Sequence, residues 1–127
     1  MTDSAVCIIL IHPDGRAEWG TDKPTAEKAM GPYGVGRAWL TDASLGLRVS
    51  MSDCALIMPE EFPENPYAVA VLAHVAGFDP ADAQPTRGPV GLWGFDPRNE
   101  WDSSRPFTTT ERAVITEALA VAGCTVG

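Results

Sequence analysis

The chain has 127 residues, with 17 Asp and Glu against 9 Lys and Arg and a formal net charge of −8 at pH 7. That balance disfavours direct binding to nucleic acid or anionic lipid, which draws on clustered cations and counterion release, and favours a basic partner. An apolar fraction of 45% suits a globular core, and no apolar run approaches the roughly 20 residues that a membrane helix needs.

This length predicts one domain spanning residues 1–127. The opening "MTDSAVCIILIHPDG" has no basic segment before its apolar run and no small-residue cleavage site after it, so a cytoplasmic protein is expected. Cys7, Cys54 and Cys124 are odd in number, far apart and free of CxxC or Cys/His ligand spacing. They are read as reduced thiols, with Cys7 serving as a small core hydrophobe.

Val6 to Ile11, "VCIILI", is an apolar, β-rich run bounded by turn residues, which predicts a strand buried on both faces. "HPDG" then supplies a turn: proline presets φ at the second position, aspartate caps through its side chain, and Gly15 accepts positive φ. His12 and Asp14 could be a catalytic pair only if they converged beside a nucleophile or metal. In a tight turn they splay, so they are read as polar turn residues, and "RAEW" returns as a second strand.

"TDKPTAEKAMG" has Thr21 and Asp22 ahead of Pro24 and closes at Gly31, the pattern of a short capped helix. "GPYGVG" is a loop; it lacks the preceding strand, the GK[ST] and the following helix of a phosphate-binding loop. "RAWLTD" and "LGLRVSMSD", either side of Ala43-Ser44, predict a strand pair, and "CALIM" extends the second strand or forms another.

"PEEFPENP" is a proline- and carboxylate-rich loop. Asn65 followed by Pro66 is a cap and first-turn proline for "YAVAVLAHVAG", which ends at Gly77. Tyr67, Val69 and Val71 also alternate as a strand would; length and alanine content favour the helix, with His74 as a hydrogen-bonded packing residue. "FDPADAQPTRG" is a connection within the domain, "PVGLWGF" a strand and "DPRNEWDSSRP" a polar link. Thr108 to Glu111 matches a capping box, opening an amphipathic helix with Val114, Ile115, Ala118, Leu119 and Ala122 on one face. Together these elements predict an α+β fold, a mostly antiparallel sheet of four or five strands packed with two or three helices.

The order of motifs resembles a family of short proteins from phages, plasmids and bacteria that is catalogued only as a domain of unknown function. The likeness is carried by the apolar strand and Pro-Asp-Gly turn of Ile8 to Gly15, and by Asn65 to Ala73. It continues in the Gly-Pro-Val to Gly-Phe-Asp run of Gly88 to Asp96 and in Thr108 to Glu111. The middle, Arg37 to Phe62, departs from that pattern by its length. The resemblance implies a phage or mobile-element setting and supplies no activity, cofactor or catalytic residue.

A serine nucleophile would need an elbow such as GxSxG, which is absent, leaving Ser44, Ser50, Ser52, Ser103 and Ser104 as loop or strand-surface residues. Asp53, Glu60, Glu61 and Glu64 lack the alternating oxygen spacing around a glycine turn of a calcium loop. They read as a solvated acidic loop that could dock a basic partner. Trp93 falls in a predicted strand and belongs to the core, whereas Trp101 lies in a polar segment, where an aromatic beside charges suits an interface anchor.

The expected protein-binding surface is therefore Glu60, Glu61, Phe62, Glu64 and Trp101, with no catalytic residue, metal or cofactor. The favoured reading is a small acidic accessory protein that binds another protein. An acidic DNA mimic, and an enzyme or ligand-binding protein with a site built from scattered residues, stand as alternatives.

Overall fold

The computed structural model describes residues 6–31, 35–37, 47–83, 85–95 and 104–127. Within them lie strands β1 (Ile8–Ile11), β2 (Arg16–Gly20), β3 (Val35–Arg37), β4 (Leu47–Ser52), β5 (Val90–Phe95), β6 (Ser104–Arg105) and β7 (Thr125–Val126). The helices are α1 (Lys23–Lys28), α2 (Pro66–Ala76) and α3 (Thr109–Ala122). The sheet runs β3-β4-β5-β1-β2-β7, with β6 paired to β5, and every pairing is antiparallel except the short parallel contact of β2 with β7. This is the expected α+β domain; two of the strands have only two residues each.

Side-chain alternation divides the sheet into two faces. Ile9, Ile11, Ala17, Val49, Val90 and Leu92 meet Val71 and Leu72 of α2 and Ile115 and Leu119 of α3 in one cluster. Ile8 and Trp93 point to the other face, where Ala26 of α1 packs against them. Burial on both faces explains why β1 is uninterruptedly apolar. Trp93 satisfies its indole by donating to Ser50 Oγ at 2.9 Å, so its whole ring can stay inside.

The hairpin turn between β1 and β2 forms as its sequence dictates. Gly15 N–H donates to His12 C=O at 3.0 Å, His12 N–H donates to Arg16 C=O at 2.8 Å, and Gly15 has φ +95°. A Cβ there would sit 3.0 Å from Tyr67 Cζ, so the position excludes a side chain by space as well as by φ.

Each helix begins on a side-chain cap. Asp22 accepts from Thr25 N–H at the start of α1. Asn65 accepts from Ala68 N–H and precedes Pro66 in α2, which settles the helix-or-strand alternative for residues 66–76. Thr108 and Glu111 form both halves of the capping box of α3. Glu111 also receives Arg105 through two parallel bonds of 2.8 Å, and Arg105 Nε donates to Phe95 C=O at 3.1 Å, joining helix start, β6 and β5.

Three expectations are corrected here. Val35 and Gly36, placed in the "GPYGVG" loop, instead open strand β3, paired with Ser52 and Met51 of β4. "CALIM" is a turn rather than strand, because Ala55 and Met58 N–H groups turn back to Ser52 and Cys54 carbonyls. Val114 is 40% exposed and leaves the buried face of α3 to Ile115, Ala118 and Leu119. The expected Ala43-Ser44 junction, and all of the expected "RAWLTD" strand beyond Arg37, lie outside the described residues.

Asn65 is 1% exposed and fully bonded: Nδ2 donates to Ile11 C=O at 2.9 Å and to Gly88 C=O at 2.8 Å. Asn65→Ala should lower unfolding stability by about 3 kcal/mol in urea melts, since it strands two buried carbonyls and uncaps α2. A second expectation follows from Glu111. Partial burial alone would raise its carboxyl, but bonds from Arg105 and Thr108 outweigh that and hold it below its ordinary 4.5. The unfolded chain therefore binds this proton more tightly than the folded one. The stability advantage of the native chain over Glu111→Gln should be full above about pH 4.5 and shrink as pH falls below it, read from urea midpoints across pH 3–7.

Candidate protein-binding surface

The segment from Asp53 to Glu64 leaves β4 and enters α2 through a folded loop. Ile57 and Met58 N–H groups donate to Cys54 C=O at 3.2 and 3.0 Å, and Glu61 and Phe62 N–H groups donate to Met58 C=O at 3.0 and 3.2 Å. Arg87 fastens the far side, its Nε donating to Phe62 C=O at 2.7 Å and its Nη2 to Pro59 C=O at 3.3 Å. Backbone pairing of Glu64 with Arg87, and Gly88 N–H donating to Pro63 C=O at 2.8 Å, complete the attachment.

This arrangement sorts the residues expected at the surface. Glu60, Glu61 and Glu64 are exposed, as is Asp53. Phe62 is not available: it is 4% exposed, and its ring lies over Gly88, where an added Cβ would come within 2.6 Å of Phe62 Cδ1. The expected aromatic anchor is thus a core residue. Its burial is possible because Gly88, distant in sequence, offers a bare backbone at φ +73°. Trp101 lies outside the described residues.

Sequence reasoning missed the residues that do project. Leu56 is 52% and Ile57 76% exposed, while the adjoining Ala55 is completely buried. Their apolar run reads as strand, but the turn bonding faces them outward. Scattered single aliphatics are normal on a protein surface, but an adjacent pair held by a bonded turn and flanked by carboxylates has the make-up of an interface centre with a polar rim.

Among the described residues, the other candidates form no catalytic arrangement. Asp14 accepts from Arg16 N–H and from Arg16 Nε, both at 3.0 Å, and the backbone bond first and the side-chain bond second hold its carboxyl below the usual value. His12 bonds Glu18 Oε2 at 2.8 Å, so His12 and Asp14 are engaged separately at the turn. His74 joins α2 to α3 through Glu117 at 2.8 Å, hydrogen-bonded as expected, but it is exposed, so it serves on the surface and not as a packing residue. Cys7 is buried, and burial pushes the Cys124 thiol up, away from a reactive thiolate.

Among the described residues no three His, Cys, Asp or Glu side chains gather to hold a metal ion. No helix among them is long and apolar enough to cross a membrane. The chain matches no family model, no curated protein and no solved structure.

The contrast between inward Phe62 and outward Ile57 has a measurable consequence. Phe62→Ala should cost about 3 kcal/mol or more in urea unfolding, as a buried aromatic leaves a cavity. Ile57→Ser should stay within about 0.5 kcal/mol of the native chain, as exposed positions do.

Proposed function

We propose that this is a small acidic accessory protein, of phage or mobile-element origin, which acts by binding another protein through the loop of residues 53–64. The observation that carries this reading is the exposure of Leu56 and Ile57 on a hydrogen-bonded turn beside Asp53, Glu60 and Glu61. A turn already fixed in shape loses little conformational freedom on association, so more of the apolar contact appears as affinity.

The origin rests on the resemblance of the strand, turn, Asn-Pro and Thr-x-x-Glu motifs described above. Acidic surface supports a basic partner over direct contact with nucleic acid, for which cations would be needed. Against the DNA-mimic alternative, the loop places two aliphatics where a phosphate-like array would present only charge.

Affinity capture from a bacterial lysate tests the role. The native chain should retain a specific protein, and Ile57→Ser should reduce its recovery about five- to tenfold, the loss of one interface anchor. Glu60→Lys should reduce it further, and so should Trp101→Ala, all with unchanged urea midpoints. Equal capture by every variant, with a small molecule co-purifying instead, would replace this reading with a ligand-binding one.

A further inference from the structure

From residue 49 to residue 86 the chain contains no lysine or arginine, yet it carries Asp53, Glu60, Glu61, Glu64, Asp79 and Asp82. Folding brings the ends of this stretch together. Glu64 and Pro66 at the start of α2 face the short 3₁₀ turn Pro80–Asp82 and the residues after it across an open cleft of about 480 Å³. Its walls are Pro66, Val69, Ala70, Pro80, Ala83 and Pro85, mostly apolar and with three rigid rings. Glu64 lines the cleft; Asp79, just before the lining residue Pro80, and Asp82, just before the lining residue Ala83, are both exposed.

We infer that this cleft binds a lysine- or arginine-bearing segment of another protein, with the aliphatic stem of the basic residue along the proline-lined wall and its charged head at Glu64 and Asp82. Three features select that occupant. The cleft is lined mainly by apolar side chains with the carboxylate of Glu64 among them, and exposed Asp82 directly precedes the lining residue Ala83, which matches a side chain that is a hydrocarbon stem with a cationic tip. None of the residues lining the cleft is cationic, and the neighbouring Arg87 directs its guanidinium to the Phe62 and Pro59 carbonyls, neither of which lines the cleft. The cleft also draws on the surrounding acidity, because the whole chain carries −8, which speeds encounter with a cation and opposes an acidic or second identical molecule.

The walls are held in place without a ligand. Asn65, buried at the cleft floor, is fully bonded to Ile11, Gly88 and Ala68, and Asp79 Oδ1 accepts from Ala81 N–H at 2.9 Å. Asp79 is thus committed to its turn. Glu64 and Asp82 are the carboxylates assigned to the ligand.

Leu56 and Ile57 are not among the residues lining this cleft, although Glu64 ends the same loop, and its test uses defined peptides and reads the cleft's own amides, so its failure is distinguishable from failure of the proposed role of that turn. The 15N-labelled full chain is titrated with acetyl-Gly-Lys-Leu-Arg-Gly-amide and, separately, with acetyl-Gly-Glu-Leu-Asp-Gly-amide. The cationic peptide should shift the amide signals of Val69, Ala70, Ala83 and Thr86, and the acidic one should not. Glu64→Lys combined with Asp82→Lys should weaken the cationic peptide about tenfold, and 0.5 M salt should weaken it as well. Ala70→Leu, which fills the wall without touching charge, should also weaken it, with its own amide spectrum and urea midpoint confirming the fold. Equal response to both peptides, shifts confined to Leu56 and Ile57, no shift at all, or self-association of the chain in place of peptide binding would each overturn the inference.

Discussion

One buried side chain holds together parts of the chain that share no sequence neighbourhood. Asn65 uses both amide hydrogens on carbonyls at the end of β1 and just before β5, and its oxygen on the first turn of α2. Its own N–H donates to Thr86 C=O at 3.0 Å. A strand that stops at a turn leaves a carbonyl without its ladder partner, and a helix start leaves amides without theirs; in the interior each needs a donor or acceptor from elsewhere. Asn is the side chain that can serve both kinds of orphan at once. The alignment of Ile11 opposite Val90 at the end of the central strand pair is therefore tied to where α2 begins.

The same junction shapes the acidic surface. Because Asn65 fixes the start of α2 and Arg87 ties Pro59 and Phe62 to the strand entry, the loop between β4 and α2 cannot fold away from the sheet edge. Its interior is filled by Ala55 and Phe62, and its carboxylates are left outside. Arg87 serves carbonyl oxygens of this loop, while Arg48, at the opposite end of β4, stacks over the Phe95 ring at 4.3 Å. The acidity of this stretch follows from its composition, six Asp and Glu and no Lys or Arg between residues 49 and 86.

Local chemistry made much of the fold legible in the sequence. The Pro-Asp-Gly turn, the Asn-Pro helix start and the Thr-x-x-Glu box each act within four residues, and each forms as expected. The candidate surface was less legible because burial there is decided at long range. Phe62, set among prolines and glutamates, resembles a surface residue until Gly88 arrives beneath it from 26 positions away. Leu56 and Ile57 resemble a buried strand until Cys54 and Ser52 carbonyls recapture the chain as a turn. Asn65 was readable as a cap, but its two donor bonds to Ile11 and Gly88 depend on sheet pairing that no local pattern states.

Other exposed aliphatics sharpen what is distinctive about the loop. Val114 and Val121 sit seven residues apart on α3, and Val126 lies in the last strand, so each is an isolated methyl-bearing patch on a regular element. Leu56 and Ile57 are consecutive, on a turn whose buried member is the smallest possible residue with a Cβ, Ala55. A partner that covers Ile57 gains about 1.5–3 kcal/mol from its removal from water. On a floppy loop much of that gain would be cancelled by ordering the backbone, which costs about 1–2 kcal/mol for each residue fixed. Here the bonds to Cys54, Ser52 and Met58 and the Arg87 staple have already fixed it during folding, so the cost falls on the stability of the domain and the gain remains for association.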